Sequence, residues 1–444
     1  KVVCDDGDPC NGVETCNGST GECQAGTPVS CGDGDACNGE ETCDPATGSC
    51  APGQPVDCDA LNAGCGPKFL CNAIDGWCDS SNGNPLCPTE PNDGACTGAV
   101  GVNSPSEGSW VGSAAEAFRL LDEDQWSEKS GLWDDVESHT STTPRSLEYI
   151  VAFDLNREGE NVTIPGIDCA KAGFEWNKGD NEVDYWLPQG VTNSGIGVGP
   201  VFTNGDGKIF GQDVLMVSWY HDASEDSSSS SYKGARVSVV DVSYVNQVKY
   251  RHVLLVEPIP GPNGQADFKA LASSTSSVHA GGIAWVGDHL YVADTSHGFR
   301  VFDTTRILAA KTGNKNKIGL ESDGYHGHGY GYVMPQVGRY KKCENSCCMR
   351  FSWVSIDITT DPPSLLAGEY TSSGVKARAH RWDLEPSTGR LKLVQGAARA
   401  SEISFPGVEK MQGGLTLNGS LFVSSSRANL LPPSGGSLYF APSL

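Results

Sequence analysis

The chain has 444 residues, with 55 Asp and Glu against 31 Lys and Arg, a net charge of −24 and 18 cysteines. That length exceeds what one ordinary hydrophobic core serves, so at least two domains are expected. An acidic chain repels phosphate backbones, which argues against nucleic acid and for cations or basic protein surfaces as partners.

No basic segment followed by an apolar one precedes Cys4, so a mature or trimmed form is expected. Cys4, Cys10, Cys16 and Cys23 recur 27 residues later as Cys31, Cys37, Cys43 and Cys50. Cys58, Cys65, Cys71 and Cys78 keep the plan with one inserted residue. The pattern is C-x5-C-x5-C-x6-C, and it divides 1–96 into repeats at about 4–30, 31–57 and 58–87 with a linker. Residues 1–96 hold 16 Asp and Glu against only Lys1 and Lys68, and few large apolar residues. So little apolar surface cannot build a core, and disulfides must substitute for it. Four cysteines per unit predict two bridges per unit, with three pairings open. Each bridge should contribute about 2–4 kcal/mol. A fixed period with little core predicts a rod of stacked units, each supported by its neighbours. Zinc is the competing reading, but the C-x2-C spacing of zinc ribbons is absent. Cys87 and Cys96 are left to clip the joint to the next domain. Such cysteine density points to an oxidising compartment, outside the cell or at its surface.

Acidic residues recur with the cysteines. Asp6, Asp8, Asn11 and Glu14 match Asp33, Asp35, Asn38 and Glu41. Carboxylates beside an amide oxygen are hard ligands of the kind Ca²⁺ takes. The same Asp-Gly, Asn-Gly and Asp-Pro pairs also form turns, and that reading stands somewhat ahead. The third repeat has Asp59-Ala60-Leu61-Asn62 there, and Gly66 where the Asn was, so any calcium belongs to the first two. These modules resemble epidermal-growth-factor-like and related cysteine-rich repeats of extracellular proteins.

From about residue 97 the cysteines thin out and strand-like runs begin. Ser146–Leu155, Asp213–His221, Ala235–Ser243 and Tyr250–Pro258 are rich in β-branched and aromatic residues and are separated by Gly, Asn, Asp and Ser clusters. Ser113–Trp126 and the short Thr304–Lys311 are the helix candidates. "GGIAWVGDHLYVADTS" from Gly281 and "GGLTLNGSLFVSSSR" from Gly413 both read as strand, turn, strand. The first continues through "HGFRVFDTT", and the three-strand meander looks like a β-propeller blade. Two further blades are read at "GIGVGPVF…DVLMVSWYH…ARVSVVDVS" and "YGYVMPQVGRY…RFSWVSIDI…HRWDLEP". The final "GSLYFAPSL" stops mid-blade, and "EYIVAFDL" is expected to complete it. The fold class is therefore mainly β: small disulfide-rich repeats, then over 97–444 a β-propeller-like domain of five to seven blades. A β-sandwich pair is the weaker alternative.

Sequons stand at Asn17, Asn161 and Asn418, and "EDSSSSSY" (Glu225–Tyr232) reads as a loop tip. His326 and His328 fall on one side of an extended strand, where a metal could use both, but two ligands do not complete a site. His279, His297 and His380 are candidates to face a propeller channel, with Asp294 and Asp303 as partners. No G-x-S-x-G, H-E-x-x-H, P-loop or Rossmann pattern occurs, so no catalytic or cofactor residue is expected. Cys169, Cys343, Cys347 and Cys348 suffice for two bridges. No run of 18 apolar residues exists to span a bilayer, and no hydrophobic tail to signal a lipid anchor.

An acidic stapled repeat region beside a larger extracellular β-domain resembles the mastigoneme glycoproteins, which build hair-like filaments on algal flagella. That resemblance implies a glycosylated subunit that polymerises with copies of itself or joins other extracellular proteins. Two alternatives are a carbohydrate-binding propeller on a cysteine-rich stalk, with Tyr325, Tyr330 and Tyr332 as exposed aromatics, and a secreted propeller hydrolase using His279, Asp294, Asp303 and His380.

Overall fold

The computed structural model describes most residues between 4 and 55, the strand backbones at 69–71, 78–80 and 109–111, and, with short interruptions, residues 119–426 and 437–441. Asp6, Cys58, Cys65, Cys87, Cys96, Cys169, Cys343, Cys347, Cys348, Asn418, the loop at 228–231 and the side chains of Cys71 and Cys78 lie outside the described residues. The chain separates into two compact units, one built on Lys1–Val102 and one on Arg119–Glu344 and Cys348–Leu444.

In the first unit each repeat sets its third cysteine opposite its fourth on a short hairpin. Thr15–Cys16 pairs with Cys23–Gln24, Thr42–Cys43 with Cys50–Ala51, and Phe69–Cys71 with Cys78–Ser80. Polar side chains turn the chain between the strands: Asn17 Oδ1 accepts from Ser19 N at 2.9 Å, and Asp44 Oδ1 from Ala46 N at 2.8 Å. Bonds Cys4–Cys23 and Cys31–Cys50 close the first and second repeats. The next bond corrects the expectation of two bridges inside each unit: Cys10 of the first repeat is joined to Cys43 of the second. The first cysteine takes the fourth of its own repeat, and the second takes the third of the following repeat. Cys37 is also disulfide-bonded, whereas Cys16 carries an exposed free thiol.

The second unit is wound from antiparallel meanders. The first takes Trp186–Asn193, Val214–His221, Ala235–Asp241 and Lys249–Pro260. The second takes Ile283–Val286, His289–Asp294, Gly298–Asp303 and Tyr332–Lys341. Phe351–Asp357, Ser364–Glu369, Ala379–Glu385 and Ala397–Ser404 make the third. Met411–Leu417, Ser420–Ser425 and Ser437–Ala441 make the fourth. Four meanders can thus be followed among the described residues, against an expected five to seven blades. The last strands of the first three are knitted together. Leu254–Val256 runs parallel to Val333–Pro335, and Arg119–Asp122 pairs with both Tyr340–Lys341 and Ala397–Arg399. The propeller-like sheet is therefore nearly closed, in the manner of a barrel. Both faces of several strands are covered: every residue of Ala235–Asp241 is buried, the polar Arg236, Ser238 and Asp241 included.

Several expectations are corrected. Ser146–Leu155 holds a helix, Leu147–Phe153, not a strand. Ser146 Oγ caps it by accepting from Tyr149 N at 3.3 Å, and Leu147, Ile150 and Val151 bury one face. The last strand, Ser437–Ala441, accordingly pairs with Ser420–Ser425 and takes nothing from "EYIVAFDL". Within Ser113–Trp126, Arg119–Asp122 is a strand, and the helix runs Trp126–Ser138 with Trp126, Lys129, Trp133 and Val136 buried. Thr304–Lys311 contains the strand Leu308–Ala309, paired with Tyr332–Val333, because Ile307 and Leu308 are both fully buried. Tyr332–Lys341 closes the second meander and does not open the third.

Candidate functional site

The first strands of the four meanders converge on one cavity of about 390 Å³. Small residues permit the approach. A Cβ on Gly282 would meet Val354 N at 2.5 Å, and one on Gly414 would meet Trp353 Cη2 at 2.5 Å. The walls come from Gln189–Asn193, Ile196, Ile283, Trp353–Ile356, Gln412–Leu415, Phe422 and Ser424. None of these side chains ionises, although the chain carries a net charge of −24. Val191 and Leu415 stand at 63% and 47% exposure, so apolar surface is presented to solvent here. Several polar groups are already engaged. Asn193 Oδ1 accepts from Ile196 N at 3.1 Å, Thr192 Oγ1 from Trp285 N at 3.2 Å, and Gln412 Nε2 donates to Ser426 Oγ at 3.1 Å. Ser355 Oγ is buried and has no hydrogen-bond partner among the described residues. A cavity that mixes amides and hydroxyls with aliphatic surface suits a neutral ligand with hydroxyl groups and apolar faces.

A second constellation escaped the sequence reading. Trp219 Nε1 donates to Ser238 Oγ at 2.7 Å, Ser238 Oγ lies 2.9 Å from His252 Nδ1, and His252 Nε2 lies 3.0 Å from Asp180 Oδ1. Burial depresses the His252 pKa, helped by the charge of Arg236, to about 3, so the ring is neutral. Burial pushes the Asp180 carboxyl up, but hydrogen bonds from His252 and Tyr250 and the Arg236 charge outweigh it and hold it below the usual carboxylate range. The order serine, histidine, aspartate is that of a nucleophilic triad. Ser238 is fully buried and His252 nearly so, and no substrate atom reaches that hydroxyl. The line is a polar seam of the core.

The histidines and aspartates singled out from the sequence engage separate neighbours. His279 is exposed, its ring 4.5 Å from that of Tyr220. Asp294 holds His297 Nδ1 at 3.0 Å and Arg300 Nε at 2.8 Å. Asp303 accepts from Thr305 N, and His380 packs 5.5 Å from Trp382. None of these residues lines the cavity. His326 and His328 do not share a strand. The hairpin strand ends at Gly327, His328 turns to φ 52°, and each ring has its own partner, Asp323 Oδ1 at 2.8 Å and Lys315 O at 3.1 Å. The tyrosines form no exposed platform. Tyr325 and Tyr332 are buried, donating to Ala266 O and Asp154 Oδ2, and half-buried Tyr330 accepts from Arg236 Nη1 at 2.8 Å.

In the repeats the acidic residues act partly as turn formers. Asp8 Oδ1 accepts from Cys10 N, Asp35 Oδ1 from Cys37 N, and Asp33 from Asp35 N and Asn38 Nδ2. Among the described residues, Glu14 Oε1, Asn38 Oδ1 and Glu41 Oε1 are shielded from water and find no hydrogen-bond donor. Among the described residues no three His, Cys, Asp or Glu side chains are grouped to hold a metal ion. Among the sequons, Asn17 sits on the first hairpin turn, and exposed Asn161 donates through Nδ2 to Asn246 O at 3.1 Å. Among the described residues no helix is long and apolar enough to cross a membrane.

No protein-family model matches the chain, and no curated protein matches it.

Proposed function

We propose that the chain is an extracellular structural glycoprotein, a non-enzymatic subunit of a cell-surface or filamentous assembly of the mastigoneme type. The bond from Cys10 to Cys43 carries this reading: it welds one repeat to the next by a covalent link that lasts only in an oxidising compartment. Stapled repeats of this kind suit a load-bearing spacer. Asn17 and Asn161 are its glycan positions. Calcium binding belongs, on this reading, to the acidic sets of the first two repeats, Asp6, Asp8, Asn11 and Glu14 and Asp33, Asp35, Asn38 and Glu41, and a rise in the melting temperature on adding the ion tests that part. The assembly itself is tested by sedimentation and electron microscopy of the native material. Large particles are expected, and a monomer at every concentration would defeat the proposal.

A second reading rests on the uncharged cavity. A neutral saccharide would meet its amides, Ser355 and the aliphatic surface of Val191 and Leu415. A glycan array is the test, with Leu415→Asp as the control expected to abolish any signal.

A further inference from the structure

Two hairpins of the first unit are copies of one another. Cys16 faces Cys23 as Cys43 faces Cys50, and each hairpin is tied back by a bond of sequence separation 19. Their turns match as well: Asn17 N donates to Glu22 O and Asp44 N to Ser49 O, both at 2.9 Å. The third cysteine distinguishes them. Cys43 is bonded to Cys10, the second cysteine of the preceding repeat, and Pro9 packs on the turn beside it, where a Cβ on Gly48 would come within 2.9 Å of Pro9 Cβ. Cys16 presents an exposed free thiol on the same scaffold.

We propose that Cys16 is a joining site for the second cysteine of another C-x5-C-x5-C-x6-C repeat, making the bond that Cys43 makes to Cys10. The inference does not stand on an isolated thiol, because the equivalent residue in the same chain already holds that partner. It rests on the reading of the repeats as oxidised. Cys10 and Cys37 are themselves bonded, so neither supplies the incoming sulfur. Its source is a repeat elsewhere in the same polypeptide or a repeat of a second copy.

The chemistry is thiol–disulfide exchange with a small disulfide such as oxidised glutathione. The Cys16 thiolate attacks one sulfur of glutathione disulfide and releases a glutathione thiolate. The incoming cysteine thiolate then attacks the Cys16 sulfur of the mixed disulfide and releases the second. One S–S bond forms and one breaks. Two protons pass from the protein thiols to two glutathione thiols, and the two electrons go the same way.

The test is a disulfide map of the full-length native protein, purified with free thiols blocked. Cys16 is expected in a peptide joined to a second-position cysteine. Co-expression of light and isotope-labelled copies then distinguishes the sources: mixed-label pairs mean a second copy, single-label pairs the same polypeptide. Cys16 recovered blocked as a free thiol, joined to glutathione, or joined to a first, third or fourth cysteine would overturn the proposal. Cys4–Cys23 and Cys31–Cys50 are read from the same map. Their absence defeats the extracellular reading, while their presence beside a free Cys16 defeats this inference alone. Cys16→Ser should expose one new second-position thiol to alkylation and leave Cys4–Cys23 intact; no new thiol would count against the joint.

Discussion

Asp180 Oδ1 stands 3.0 Å from His252 Nε2, and both residues are buried against the indole of Trp219 and the guanidinium of Arg236. The pair makes the second unit sensitive to acid. The folded His252 pKa, lowered by burial to about 3, lies below the value of roughly 6.5 expected when unfolded. The unfolded chain therefore binds the proton more readily, and stability falls as pH drops from about 6.5 toward 3, by at most about 1.4 kcal/mol per pH unit. Urea unfolding between pH 7.5 and 4 should show this slope, and His252→Gln should flatten it. Equal slopes would show that His252 has no part in the acid response.

Gly282 lies where two inner strands meet, with room for a hydrogen and nothing larger. The obstruction is backbone, Val354 N at 2.5 Å and Trp353 Cα at 2.6 Å, so no side chain can swing aside. Gly282→Ala should cost at least about 1–3 kcal/mol of stability through overpacking. A chemical denaturation midpoint unchanged from the parent would contradict that close approach.

Arg381 joins two carboxylates, with Nη1 on Asp357 Oδ2 at 2.9 Å and Nε on Glu402 Oε2 at 2.8 Å. Asp357 is 3% exposed, and Thr416 Oγ1 donates to the same oxygen. Arg381→Met strands a buried negative charge and should cost about 3–5 kcal/mol. The double variant Arg381→Met, Asp357→Leu should recover part of that loss in a double-mutant cycle. Additive effects would mean that the ion pair is not coupled.

The bond between Cys10 and Cys43 spans 33 residues. On chain-entropy grounds, replacing both cysteines by serine should cost about 3–4 kcal/mol. The expected readout is a lower melting temperature for the repeats, with the second unit unmoved. A loss confined to the second unit would be the wrong result.

The strands of the second unit were legible because runs such as Val237, Val239 and Val240 are β-branched, and because the Gly287-Asp288 turn marks its hairpin. Tyr332–Lys341 was misallotted because its hydrogen bonds run back across the Ile318–Gly327 excursion to Gly298–Asp303, and such distant pairing leaves no trace in local composition. Leu147–Phe153 is a short apolar run, for which periodicity alone does not separate helix from strand; Ser146 was the signal that does. The cavity was half legible. The paired glycines before the strands were visible, but Ser355 and Gln412 look like any other strand residues. Asp180, Ser238 and His252 come from three separate elements, and no spacing rule unites them. In the repeats the cysteine period was plain, but a pairing that crosses from one period to the next cannot be read from spacing.

The crossing bond has a practical consequence. A protease that cuts the backbone between Gln24 and Cys31 divides the chain, yet both fragments stay on one molecule, because Cys10 lies on one side of the cut and Cys43 on the other. Nicked material would migrate as intact until a reductant is added, so degradation alone would not release the part beyond the cut.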